Sequence, residues 1–185
     1  MQAAIPATNS LPVQLFAQDE SRLGLLTIRR RRITARGVKP ICSSQHSFAN
    51  FWLYGCVAPT TGERFFMLLV SLNADQMQYF VDQFARAHPT TFNLLLLDNS
   101  GARTAKRLVM PANVGLVFQP PASPELNPAE RVWQDLKGQL AWMTFPDLAA
   151  LEAEVVERVN AYDQATIQSL TSYSYLIDAL HVVCS

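Results

Sequence analysis

The sequence has little of what announces many protein classes. Its 185 residues carry 15 Lys and Arg against 15 Asp and Glu, so the net charge at neutral pH is zero. No global field marks the chain for nucleic acid or a membrane surface, and any electrostatic case for such a partner has to come from local clusters. Cysteine is scarce and odd in number. Cys42, Cys56 and Cys184 stand far apart with no CxxC pair, and His46, His88 and His181 are nowhere near the spacing of a zinc site. That excludes a disulfide framework and a structural zinc centre, and leaves reduced packing thiols in a cytoplasmic protein. The first residues, MQAAIPATNSLP, lack the basic-then-apolar order of a signal peptide. No apolar run approaches the ~20 residues that span a bilayer. What is present, 49% hydrophobic and 16% charged residues, is the balance of a folded globular protein, and the length fits one domain with a single core.

Residues 1–12 read as a short tail, and one folded domain is expected over 13–185. Residues 13–19 alternate with Val13, Leu15, Ala17 and Asp19 on one face, which predicts a strand whose apolar face ends in an acid. A basic stretch at 29–39 reads as a loop or an irregular hairpin. Residues 51–58 and 64–71, split by Pro59-Thr60-Thr61-Gly62, predict an antiparallel hairpin with both faces covered. A helix is predicted from Asn73, as N-cap, to Ala87, with Met77, Phe80, Val81 and Phe84 inward. Strands follow at 92–98, ending in Asp98, and 114–119, with a short helix possible at 103–109. Further helices are expected from Pro128 (Val132, Trp133, Leu136, Leu140 inward), over 146–162 (Leu148, Leu151, Val155, Val156, Val159 inward), and in the last twenty residues. Strand, hairpin, helix, strand, strand, helices is the order of an α/β, ribonuclease-H-like mixed sheet, an antiparallel hairpin plus parallel strands flanked by helices.

The acids carry the chemical interest. Asp19 and Asp98 each close an apolar run, at the carboxyl edge where α/β sheets bind ligands. A carboxylate there is costly unless it reaches solvent, a donor or a cation. Hard divalent cations such as Mg²⁺ answer that need with few protein ligands and water. Taken singly, each Asp reads more readily as a turn former than as a ligand. Glu130 fits a capping box, with Asn127 as N-cap and Pro128 at the first helical position. Glu20, beside Asp19, points to the opposite face of the strand and is the weaker candidate.

The segment Gln119 to Lys137, QPPASPELNPAERVWQDLK, resembles the motif around the last catalytic acid of IS630/Tc1/mariner-superfamily transposases, the IS630 group in particular. Gln18-Asp19-Glu20-Ser21-Arg22 and Leu97-Asp98-Asn99-Ser100-Gly101 agree in order and spacing, so the resemblance runs from about residue 13 to 162. SPELNPAE is the specific part; the other two segments alone are weak. The resemblance implies a ribonuclease-H-like DDE endonuclease domain in which Asp19, Asp98 and Glu130 are catalytic and hold two Mg²⁺ or Mn²⁺ ions. Such a pair, about 4 Å apart, clamps an in-line displacement at phosphorus without a covalent protein–DNA intermediate. The implied activity is phosphodiester cleavage and strand transfer of insertion-sequence DNA.

The chain departs from the pattern at two positions. Arg103 stands where a His is common, and Ala122 where a Tyr often precedes Ser-Pro; neither removes a metal ligand. Complete members also carry N-terminal helix-turn-helix domains, which are not expected within these residues. The chain then reads as half of a split transposase, a truncated copy or an isolated domain. The partners implied are transposon-end and target DNA, a separate helix-turn-helix half and a second copy in the DNA complex. Candidate DNA contacts are the cluster Arg29, Arg30, Arg31, Arg32, Arg36 and Lys39, with Arg103, Lys106 and Arg107 after the second acid. Glu152, Glu154 and Glu157 would repel DNA, so their helix is expected to face away. A simple ribonuclease-H-like nuclease and a silent DNA-binding or dimerising remnant are the competing readings. A carboxylate-pair glycosidase explains neither the third acid nor the basic cluster.

Overall fold

A computed structural model describes residues 1–31, 33–39, 41–98, 107–120 and 126–184, with the side chains of 179 and 181–184 left undescribed. Arg32, Arg103, Lys106, Ala122 and most of the predicted helix at 103–109 therefore lie outside the described residues; Arg107, Leu108 and Val109, within them, are not helical.

Five strands form one sheet in the order β3-β2-β1-β4-β5. They are β1 (Val13–Gly24), β2 (Asn50–Val57), β3 (Arg64–Leu69), β4 (Phe92–Leu97) and β5 (Val114–Phe118). The sheet is mixed: β1, β2 and β3 pair antiparallel, while β4 runs parallel to β1 and β5 parallel to β4. β4, FNLLLL, is buried along its whole length, as a central strand covered on both faces must be. Full coverage is expected for both hairpin strands; β2 comes close, with only Asn50 and Trp52 half-buried, and β3 does not. β3 is the sheet edge, and residues 64–68 remain half-buried.

β1 is longer than its alternation suggested. It does not end at Asp19 but continues five residues further, because at Ala17 its pairing passes from β4, the neighbour of 13–17, to β2, the neighbour of 17–24. Relative to the parallel pair, Asp19 still lies just beyond the edge.

Helices cover both faces. α1 (Ala74–Ala87) starts at Asn73, whose side chain accepts from the Gln76 amide at 2.9 Å, and buries Met77, Phe80, Val81 and Phe84 against Phe16, Tyr54, Cys56, Leu95 and Leu97. On the other face α2 (Ala129–Gln139), α3 (Leu148–Ala161) and α4 (Gln164–Thr171) pack on Ala17, Leu23, Leu53 and Val57, and α5 (Ser174–Cys184) on Leu15, Leu94 and Leu96. The last twenty residues thus hold two helices, not one, since Asp163 caps α4 through the Thr166 amide. Val156 was expected inward on α3 but is 40% exposed; Leu151, Val155 and Val159 are the buried positions. The tail is packed as well: Met1, Ala4, Ile5 and Leu11 lie against the core beneath α5. No helix among the described residues is long and apolar enough to cross a membrane.

Candidate active site

Strand alternation puts Leu15, Ala17 and Asp19 on the face that α2 covers and Phe16, Gln18 and Glu20 on the face that α1 covers. What brings α2 to Asp19 is Asn127, only 2% exposed. Its amide nitrogen donates to the Gln18 carbonyl at 2.9 Å, and its oxygen accepts from the Ala129 amide at 3.1 Å. One buried side chain thereby ties β1, one residue before Asp19, to the first turn of α2, one residue before Glu130. The expected capping box is not formed among the described residues: the Asn127 side chain accepts from the Ala129 amide, the Glu130 N–H donates to the Asn127 carbonyl, and Pro128 occupies the cap position with helical backbone.

Positions 130 and 133 lie on one side of α2, three residues apart. Trp133, 3% exposed, donates its indole N–H to Oδ2 of Asp19 at 2.8 Å. Glu130 is half-buried, and its charge acts on Asp19. Burial first, then repulsion from Glu20 and Glu130, pushes Asp19 up to about 7, against the opposing pull of the Glu20 amide and the Trp133 N–H. A carboxylate in this position is protonated for much of its time at neutral pH.

Asp98 follows β4 directly and is half-buried. Its charge acts on Glu20, which burial raises above the usual carboxylate range and which accepts from the Gln18 amide at 3.1 Å. The acids therefore form an electrostatic chain: Glu130 to Asp19, Asp19 to Glu20, Glu20 to Asp98. Of the three predicted site residues, the fold brings Asp19 and Glu130 together on one face. Asp98 is at the same edge, but among the described residues no three His, Cys, Asp or Glu side chains are close enough together to hold an ion.

The donor set fits a hard dication. It is made of carboxylates alone, with one member kept partly neutral by burial and then by its acidic neighbours, a strain that a cation relieves. Ser21 Oγ and both amide atoms of Gln119 are buried with no hydrogen-bond partner among the described residues. Ser21 is two residues beyond Asp19, and Gln119 follows Phe118, which pairs with Leu97 beside Asp98. Buried polar groups of this kind are served by water, which Mg²⁺ retains in its coordination shell.

The basic candidates are dispersed. Arg29 donates to Ser44 Oγ at 2.8 Å, and Arg30 donates to the Gln134 carbonyl at 2.8 Å, which ties the loop to α2. Arg31, Arg36 and Lys39 are exposed. Arg107 lines a groove with Asp75, Gln78 and Asp82 of α1, so its local setting is acidic. On α3, Glu154 pairs with Arg158.

Sequence reading gave Trp133 a packing role and missed its bond to Asp19; the spacing of three from Glu130 was the available signal. It also missed Gly55, the β2 residue opposite Asp19, where a Cβ would come within 2.6 Å of Cη2 of Trp133.

Comparison with known proteins bears on this geometry. A family profile described as DDE superfamily endonuclease matches residues 14–152. The chain is 33% identical over 87 residues to the uncharacterized protein y4pE/y4sA of Sinorhizobium fredii (strain NBRC 101917 / NGR234), covering 46% of this chain and 64% of that one. Among solved structures it is similar to the Mos1 mariner paired-end complex with Mn (TM-score 0.66, 15% identity, 85% of this chain and 51% of that chain). It is also similar to the Mos1 strand transfer complex (TM-score 0.65, 16% identity, 92% of this chain and 53% of that chain). The chain spans about half the length of these solved chains, and at such identities the likeness is one of fold.

Proposed function

The chain belongs to the DDE superfamily endonuclease family, and from that premise we propose that it is the catalytic domain of a DNA transposase, cleaving phosphodiesters and transferring strands of insertion-sequence DNA. The observation that carries this reading is the meeting of Asp19 and Glu130 across β1 and α2, fixed by the Asn127 and Trp133 hydrogen bonds. A fold that sets a buried acid against a half-buried one of like charge on one face gives up stability for a site that needs them, and perturbed acids of this kind mark functional centres.

In this reading Asp19 and Glu130, joined by Asp98 from the end of β4, hold two Mg²⁺ or Mn²⁺ ions, which when bound supply activation of the attacking water or 3′-hydroxyl and stabilisation of the departing oxygen. The work of the chain itself is positional. Asn127 holds Glu130 in register with Asp19, Trp133 holds the Asp19 carboxylate, and the α2 stripe of Val132, Trp133 and Leu136 excludes water beneath the pair. Exposed Arg31, Arg36 and Lys39, with Arg29 beside them, are proposed to meet DNA phosphates; Arg32, Arg103 and Lys106 keep that role as an expectation from sequence. Transposon-end and target DNA, a helix-turn-helix half and a second copy in the DNA complex complete the proposal, with the cytoplasm as the place of action.

The test is a nicking assay on element-end DNA with Mg²⁺ or Mn²⁺, with helix-turn-helix DNA-binding domains of the group supplied, comparing wild type with Asp98→Asn. Metal-dependent nicking by wild type and at least about 100-fold less by the variant is expected, since the variant loses a ligand carboxylate. Nicking that survives Asp98→Asn would sink the assigned site. Binding of DNA without nicking by either form would point to the silent module.

A further inference from the structure

The contact between Trp133 and Asp19 goes beyond what packing demands. Trp133 belongs to the buried stripe of α2, and a Phe would fill much of the same space. Of the aromatic side chains only Trp carries an indole N–H, a donor with no acceptor capacity, and here that donor ends 2.8 Å from Oδ2 of Asp19. The ring is held from three elements. α2 carries it, β3 sets Phe66 against it at 5.8 Å between ring centroids, and β2 offers Gly55 beneath it. At Gly55 a methyl group would stand 2.6 Å from Cη2 of Trp133 and 2.7 Å from Cδ1 of Phe66. Gly55 is also the residue paired with Asp19 across the strands. The absence of a side chain opposite Asp19 is therefore what lets the indole lie across β2 and reach the acid.

We propose that Trp133 is a positioning residue of the metal site: its N–H holds one oxygen of Asp19, fixes the carboxylate's rotamer and so selects the oxygen presented to the cation, with Gly55 as the clearance that makes this possible. The inference rests on the reading of Asp19 as a metal ligand and adds to it a residue whose role lies outside the triad. Hydrogen bonds from behind a ligand set its orientation, and their loss weakens metal affinity by roughly 10- to 100-fold.

The experiment uses the full 185-residue chain and Mn²⁺ alone, with the free ion followed by electron paramagnetic resonance. Asp19→Asn is expected to lose most of the binding. Trp133→Phe, which keeps the ring and removes the donor, is expected to bind roughly 10- to 100-fold more weakly. Leu151→Ala, which removes packing from the same core on α3 without touching the donor, is expected to lower the thermal midpoint and leave the affinity of the folded chain unchanged. A second measurement needs no Trp133 variant to fold. The indole proton of Trp133 in the metal-free chain should shift upfield in Asp19→Ala, as its acceptor is lost. Wild-type affinity in Trp133→Phe, or an indole resonance indifferent to Asp19→Ala, overturns the positioning role and leaves the functional reading intact. No Mn²⁺ binding by wild type, or undiminished binding by Asp19→Asn, overturns the functional reading and this inference with it.

Discussion

Burial, Glu20 and Glu130 together push Asp19 from its ordinary 3.8 up to about 7, and that has a thermodynamic consequence separate from catalysis. Between about pH 4 and pH 7 the folded chain keeps a proton that the unfolded chain has released. The stabilisation linked to that proton is complete below about pH 4, is lost as pH rises through about 7, and is constant above it. Full loss amounts to at most about 4 kcal/mol. Asp19→Asn removes the titration and keeps an oxygen for the Trp133 N–H. In chelator at pH 8 the Asn variant should unfold several degrees above wild type, and at pH 4.5 the two should converge, as thermal melts across pH would show. A smaller slope is expected to remain in the variant, since Glu20 is also raised. A variant less stable than wild type at pH 8 would show that Asp19 is not the strained group described. At this scale the sequence was legible for residue identity but not for burden. The order of Asp19, Asp98 and Glu130 could be read from motifs, whereas the donor from Trp133 depends on which way a ring edge faces after packing, and alternation cannot encode that.

At the scale of elements, the site depends on one junction, where β1 is held to the start of α2. Asn127 makes both hydrogen bonds of that junction and is buried. Asn127→Ala strands the Gln18 carbonyl and the Ala129 amide, each at a cost of about 1–3 kcal/mol when buried. Urea unfolding should show a loss of about 3 kcal/mol with an unchanged slope; a loss below about 0.5 kcal/mol, the scale of neutral surface changes, would mean that water replaces the amide freely. This junction explains in physical terms why SPELNPAE is a specific signal: its Asn is a tether, not only a cap. Alternation at 13–19, apolar runs bounded by turn residues, and the 3.6-residue period located all five strands and the helices α1, α2 and α3. They failed where tertiary pairing takes over. β1 runs past Asp19 because β2 continues the ladder, β3 is half-buried because it is a sheet edge among the described residues, and Val156 points outward because α3 contacts the sheet along a narrower stripe than its apolar residues suggest.

For the whole molecule, zero net charge means that any attraction to DNA has to be local, and an acidic site makes it more so. Asp19, Glu20, Glu130 and Asp98 concentrate negative charge at one edge of the sheet, where a phosphate backbone is repelled unless cations intervene. The exposed Arg31, Arg36 and Lys39 and the neighbouring Arg29 lie on the segment that follows β1, and Arg30 anchors that segment to α2 through the Gln134 carbonyl. Leaving Arg30 in place therefore separates a DNA role from a structural one. Replacing Arg29, Arg31, Arg36 and Lys39 by Gln should flatten the dependence of log affinity on log salt by up to about 3.6, at about 0.9 for each duplex phosphate that the protein no longer neutralises. Fluorescence anisotropy with a duplex over a series of NaCl concentrations reads this slope directly. The urea midpoint should hardly move, because exposed charges away from buried networks contribute little to stability. A weaker affinity with an unchanged slope would mean that these side chains act on the fold of the loop and not on phosphate. An unchanged affinity and slope would move the DNA path to another face. If the slope flattens while Mn²⁺ affinity stays as in wild type, DNA holding and metal holding are separable functions of one domain, the first on the loop after β1 and the second where β1 meets α2.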